Sequence, residues 1–209
     1  MISLLEKLNT KNNEHKIMKK FIVLEGLDGS GKTTVAKRLA EVAGATYFRT
    51  PGDDFKPVRS YVDNGTPPET KLFYYLSTVF DASKKIDKER KSRPVVCDRY
   101  IWSSFVPHST FYGEDLDFLE RSFSHFTDRL VKPDHTIFLD VSAQEQLARL
   151  GIRSDETMSP SDKFCLDSKL RNNIRDAYLR IAERNNWIYI DTTSKPVEDI
   201  VDQLKRRLV

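Results

Sequence analysis

Apolar residues along this chain fall into short continuous runs separated by longer stretches with helical spacing. The run Phe21-Ile-Val-Leu-Glu25 stops at a glycine-rich turn and reads as a buried strand. Val35, Ala36, Leu39, Ala40 and Ala43 then share one helical face, and Gly44 ends it. Residues 45–48 predict a second strand, followed by the turn signal Thr50-Pro51-Gly52. Pro67-Pro68 opens a long helix to about residue 88, with Leu72, Tyr75, Leu76, Val79 and Ile86 on its apolar face. Residues 94–97 and 135–141 are further strands. Between them, 115–130 is a helix carrying Leu116, Leu119, Phe123 and Phe126. Ser142 and Glu145 have the spacing of a capping box for the next helix. The polar stretch 151–160 reads as a loop, and 161–185 as a second long helix with Leu170, Ile174, Tyr178 and Ile181. Residues 187–190 form the last strand, and Pro196 opens a terminal helix. Short apolar strands alternating with helices predict an α/β fold: about five parallel strands with helices on both faces.

The turn after the first strand carries the candidate chemistry. Gly26-Leu-Asp-Gly-Ser-Gly31-Lys32-Thr33 fits the phosphate-binding P-loop. Glycines let the backbone curl until several N–H groups point inward, and the following helix N-terminus adds partial positive charge. The residues assigned to ATP are Gly26, Asp28, Gly29, Ser30, Gly31, Lys32, Thr33 and Thr34. Lys32 reaches the β- and γ-phosphates, and the Thr33 hydroxyl faces Mg²⁺. The motif lies between a buried strand and an amphipathic helix, the context it needs.

Composition narrows the partners. Thirty-four basic and 31 acidic residues leave a net charge of +3, too little to argue for nucleic acid or a membrane surface. No apolar run has the length of a membrane span. The first eighteen residues lack a signal-peptide pattern and read as an extension, helical or disordered, ahead of one P-loop nucleotide-binding domain over 19–209. Two cysteines, Cys97 and Cys165, give neither a metal spacing nor a disulfide framework, so a reducing cytoplasm is expected. His15, His108, His125 and His135 have no metal-ligand spacing.

The stretch FIVLEGLDGSGKTT is similar to the opening of thymidylate kinases. Three further segments follow in that family's order: Phe48-Arg49-Thr50-Pro51-Gly52, Asp98-Arg99-Tyr100 with Ser103, and 133–140 (PDHTIFLD). The resemblance covers about residues 21–190. It implies a P-loop kinase fold with a short lid at about 150–161, and transfer of phosphate from ATP with Mg²⁺ to dTMP. It places Asp28 near the acceptor sugar, Arg49 and Arg99 on the acceptor phosphate, and Asp98 with Thr33 at the metal. Arg149 falls on the ATP side. Arg149 and Arg153 both match the arginine-rich start of the family's lid, and one of the two closes over the transferring group; Arg153 is assigned with Lys32 and Arg99 to catalysis. It also implies an aromatic stacking on the base, with Tyr75 the better alignment and Phe73 the other, and a homodimer through the long helices.

The resemblance breaks at the base. The family's arginine four residues after the stacking aromatic is Val79 here, and its Ala-Tyr-Gln run is Val106-Pro107-His108. Relaxed base selectivity is the expectation, with His108 a substitute donor. Two alternatives stay open beside the dTMP kinase: a kinase for another monophosphate or for a deoxynucleoside, and a P-loop switch protein. A nucleoside kinase needs a carboxylate base, for which Glu25 stands available. A switch needs no second phosphate pocket, so Arg49 and Arg99 favour a kinase.

Overall fold

The computed structural model describes residues 20–151 and 166–208. Five parallel strands form one sheet: β1 (Phe21–Gly26), β2 (Thr46–Arg49), β3 (Val95–Asp98), β4 (His135–Asp140) and β5 (Ile188–Asp191), in the order β2-β3-β1-β4-β5. Every strand pair is parallel. The chain leaves β1 toward β2 and leaves β3 in the opposite sense toward β4. The strand order therefore reverses between β1 and β3, where open α/β sheets bind ligands.

Eight helices cover the sheet among the described residues: α1 (Lys32–Val42), α2 (Lys56–Gly65), α3 (Pro68–Glu89), α4 (Trp102–Tyr112), α5 (Leu116–Thr127), α6 (Ala143–Gly151), α7 (Ser168–Arg184) and α8 (Val197–Arg207). On one face, Ile22, Leu24, Val96, Ile137 and Leu139 pack against Val35 and Leu39 of α1 and Val201 and Leu204 of α8. On the other, Phe138 meets Phe105, Tyr178 and Ile181, while Phe21, Val23, Val95 and Cys97 meet Val79 and Ile86 of α3. β1 is buried along its whole length, as its unbroken apolar run predicts.

Most boundaries fall within two residues of the sequence expectation. Two helices were not expected. In α2 only Val62 is buried, while Val58 and Tyr61 stay exposed, so its apolar periodicity is weak. α4 carries Pro107 in its interior, which reads in sequence as a helix breaker. The capping box is half formed: Ser142 accepts from the Glu145 N–H, but the Glu145 carboxylate turns to Arg149 and Ser194. The N-terminal extension, nearly all of the lid, Arg153 and Cys165 lie outside the described residues.

Candidate active site

The P-loop leaves β1 through Gly26, whose φ is +144°. A Cβ there would stand 2.3 Å from the Leu139 carbonyl oxygen, so glycine alone permits this approach to β4. Gly26 therefore shapes the loop from beneath. Ser30 is also turned inward, fully buried, with its N–H bonded to Leu27 O at 3.2 Å. Asp28, Gly29, Gly31, Lys32, Thr33 and Thr34 line a cleft of about 530 Å³. Its other walls come from β2 (Arg49), α2 (Arg59, Asp63), α3 (Leu72, Tyr75, Thr78) and the Arg99–Tyr112 segment.

Lys32 is 4% exposed and donates to the Leu27 carbonyl at 2.5 Å. Burial pushes its pKa down to about 8; the Arg99 guanidinium adds to this, against Asp28, Asp98 and Glu25. An arriving phosphate favours the charged form and restores the ordinary value. The nucleotide complex then holds more protons than the free chain around pH 8, so affinity for ATP should fall as pH rises through that range. Titration calorimetry at pH 8 in buffers of different ionisation enthalpy should show proton uptake that disappears in Lys32→Met. Equal uptake in both chains would contradict this role.

Asp98 closes β3 and is 2% exposed. Its Oδ2 accepts from the Thr33 hydroxyl at 2.5 Å and from the Tyr47 hydroxyl at 3.3 Å. Its Oδ1 is buried with no hydrogen-bond partner among the described residues. Next in the chain, Arg99 adopts φ +73°, a left-handed conformation uncommon for a side-chain-bearing residue. Three backbone N–H groups and one hydroxyl hold this turn. The Arg99 N–H donates to Leu24 O at 2.9 Å, and the N–H groups of Tyr100 and Ser103 donate to Glu25 Oε1 at 3.0 and 3.3 Å. The Ser103 hydroxyl donates to Glu25 Oε2. Glu25 is thus an anchor of the turn, and burial raises its pKa.

The Arg99 guanidinium emerges into the cleft and pairs with Asp28. Asp28, expected near the acceptor sugar, is held by this arginine. Arg49 lines the same cleft, and its buried Nε has no hydrogen-bond partner among the described residues. β2 and β3 therefore deliver two guanidinium groups opposite the P-loop.

Two sequence expectations about the base need correction. Phe73 is 61% exposed and packs against Phe123 at 5.8 Å, away from the cleft. Tyr75 does line it, with its hydroxyl bonded to Asp63 at 2.5 Å. Val79 is fully buried against the sheet, so it is not the base-edge position. The α3 residue facing the cleft one turn beyond Tyr75 is Thr78. Three- rather than four-residue spacing brings it there, because Val79 is claimed by the core beneath Phe21. His108 is buried at the cleft wall beside Tyr112 and Glu114.

Arg149 does not line the cleft. It reaches behind the loop, donating to Gly29 O at 3.3 Å and Thr192 O at 2.9 Å. Sequence reasoning missed its neighbour Gln146, 1% exposed, which donates to Asp28 O at 2.6 Å and accepts from Arg171 Nε at 2.8 Å. The legible signal was a polar residue on the inward face of an amphipathic helix, one turn before Leu150. Gln146→Leu removes both bonds at nearly constant volume. It should lower stability by roughly 1–3 kcal/mol and raise KM for ATP more than for the acceptor. Thermal unfolding and steady-state kinetics check this; unchanged values would show that the loop needs no brace from α6.

A P-loop after β1 sharing its cleft with two guanidinium groups from β2 and the end of β3 is the layout of a P-loop nucleotide kinase. The sequence profile described as thymidylate kinase matches residues 24–204, and the chain belongs to the thymidylate kinase family. A probable thymidylate kinase of Methanocaldococcus jannaschii is 32% identical over 188 residues, 88% of this chain and 93% of that protein. Among solved structures, thymidylate kinase from Candida albicans superposes with a TM-score of 0.73 at 19% identity, covering 90% of each chain. That from Ehrlichia chaffeensis gives 0.66 at 23%, covering 91% and 98%. At these identities the two structures speak to the fold. The chain is an ATP-dependent nucleoside-monophosphate kinase.

Proposed function

We propose that this chain transfers the γ-phosphoryl group of ATP to dTMP, with Mg²⁺, giving ADP and dTDP. The carrying observation is the placement of Arg49 and Arg99 in the same cleft as Lys32. One phosphate site serves the donor and the other the acceptor. The acceptor oxygen is already ionised near neutral pH, so the reaction needs alignment and charge neutralisation rather than a strong base. Lys32 and the loop N–H groups hold the donor phosphates. Arg49 and Arg99 hold the acceptor phosphate, and Asp28 turns from Arg99 to the sugar as phosphate arrives. Tyr75 offers its ring to the base. Arg149 steadies the ATP side from behind the loop; Arg153, which the resemblance assigns to the lid, lies outside the described residues.

Thr33 and Asp98 fit a magnesium site. The hydroxyl gives its proton to Asp98 Oδ2 and keeps lone pairs for a cation, while the buried Asp98 Oδ1 has no other partner among the described residues. Bound Mg²⁺ supplies charge neutralisation across the donor phosphates. Among the described residues no three His, Cys, Asp or Glu side chains converge, in keeping with an ion held largely by substrate phosphates and water.

The nucleoside-kinase reading loses its support, because both Glu25 oxygens are bonded to Tyr100 and Ser103 and the group is fully buried. Homodimer formation is supported by the exposed rings of Phe73 on α3 and Phe118 and Phe126 on α5. Placement in the cytoplasm rests on the buried, unpaired thiol of Cys97, and no helix among the described residues is long and apolar enough to cross a membrane.

A panel of dTMP, dUMP, dCMP, UMP, dGMP and thymidine with ATP and Mg²⁺ tests the reading. The expected order puts dTMP first. dUMP follows at reduced but clear kcat/KM, because no arginine of α3 is present to read the base edge. Thymidine should give no product. Turnover of thymidine with none of dTMP would replace this reading with a nucleoside kinase.

A further inference from the structure

We infer that Tyr47 is a positioning residue for the magnesium site, setting the orientation of the Asp98 carboxylate through its hydroxyl. The inference rests on the proposed reading of Thr33 and Asp98 as metal-facing groups.

β2 and β3 run in parallel register, with Arg49 opposite Asp98 and Tyr47 opposite Val96. Tyr47 and Arg49 stand two residues apart on one strand and so share a face. That face turns toward α1 and the P-loop, since the Tyr47 ring packs with the cluster built on Val35 and Leu39. From there its hydroxyl reaches Asp98 Oδ2 at 3.3 Å, the same oxygen that accepts from Thr33 at 2.5 Å. One carboxylate oxygen thus takes two hydroxyl donors and the other takes none. This asymmetry fixes the carboxylate's rotation. With Oδ2 occupied on both sides, Oδ1 is left for an ion or its water.

The tyrosine is itself held. Lys37, one turn along α1 from Thr33, places its ammonium 5.7 Å from the Tyr47 ring centroid. Outer groups of this kind orient metal ligands, and their loss commonly weakens metal affinity 10–100-fold. Because Thr33 retains its own bond to Oδ2, Tyr47→Phe should fall near the lower end, roughly 10-fold.

The test is Mn²⁺ binding followed by electron paramagnetic resonance, on wild-type and Tyr47→Phe chains saturated with a non-hydrolysable ATP analogue. dTMP affinity is measured separately without metal. The expected result is Mn²⁺ weakened roughly 10-fold with dTMP affinity unchanged. Equal Mn²⁺ affinity in the two chains would overturn the inference while leaving the metal site standing. Equal weakening of Mn²⁺ and dTMP would also overturn it, marking Tyr47 as a packing residue. Failure of the wild-type chain to bind Mn²⁺ would instead sink the metal reading beneath it. A crystal structure of the wild-type chain with Mn²⁺ and the analogue gives a second measurement, independent of how the variant folds. It should show the Tyr47 hydroxyl on Asp98 Oδ2 and the metal or its water on Oδ1; a tyrosine turned away would overturn the inference.

Discussion

Replacing Lys32 with alanine should cut kcat by roughly 100–1000-fold, the range seen when a preorganised charge-stabilising donor is removed, and should leave the chain folded. Lys32 is almost fully buried, and its ammonium donates to a carbonyl of its own loop. Its ammonium is disfavoured by burial before any phosphate arrives, as its pKa near 8 records. Alanine relieves that burial penalty, so the loss belongs to the reaction rather than to folding. Steady-state kinetics beside thermal unfolding separates the two. A near-wild-type kcat would contradict the P-loop assignment, and a collapsed unfolding transition would mean that the lysine is structural.

Arg99→Ala should weaken the acceptor by about 1.5–3 kcal/mol, the cost of a lost charged hydrogen bond, or roughly 10–150-fold in affinity. ATP affinity should change far less. Arg99 stands at the end of β3, facing Arg49 and Asp28. Alanine keeps a Cβ at φ +73°, so the variant carries the same backbone strain, and the turn remains tied to Glu25 through Tyr100 and Ser103. Arg99→Lys should recover only part of the loss, because an ammonium cannot reproduce the planar fork of the guanidinium. Separate titrations of the two nucleotides decide the matter. Equal losses for both would place Arg99 in the general structure of the cleft.

The parallel sheet and the P-loop were legible because their signals are local. An apolar run that meets a glycine-rich turn determines both the strand and the loop after it. Asp98 and Arg99 were legible for a related reason, since they follow a buried strand at its carboxyl end. The misplacement at Val79 arose from register. Helical spacing puts positions 78 and 79 almost equally near the face of Tyr75, and Val79, already on the apolar face, is taken up by packing against Phe21 and Val23. Phe73 failed similarly: on α3 it faces Phe123 of α5, a contact that no local pattern announces. Gln146, Glu25 and Tyr47 act across sequence distance. Gln146 reaches 118 residues back to the P-loop, and Tyr47 reaches 51 residues forward to Asp98. Such bonds exist only once the sheet has ordered its strands, so no reading of neighbours in the chain reveals them.

The proposed reaction is phosphoryl transfer between two phosphate sites in one cleft. Its most direct test is ³¹P magnetic resonance of the chain incubated with ATP, Mg²⁺ and dTMP. The dTMP resonance should give way to the paired resonances of dTDP in step with ADP, with little free phosphate. Conversion of ATP to ADP and inorganic phosphate while dTMP stays intact would contradict it.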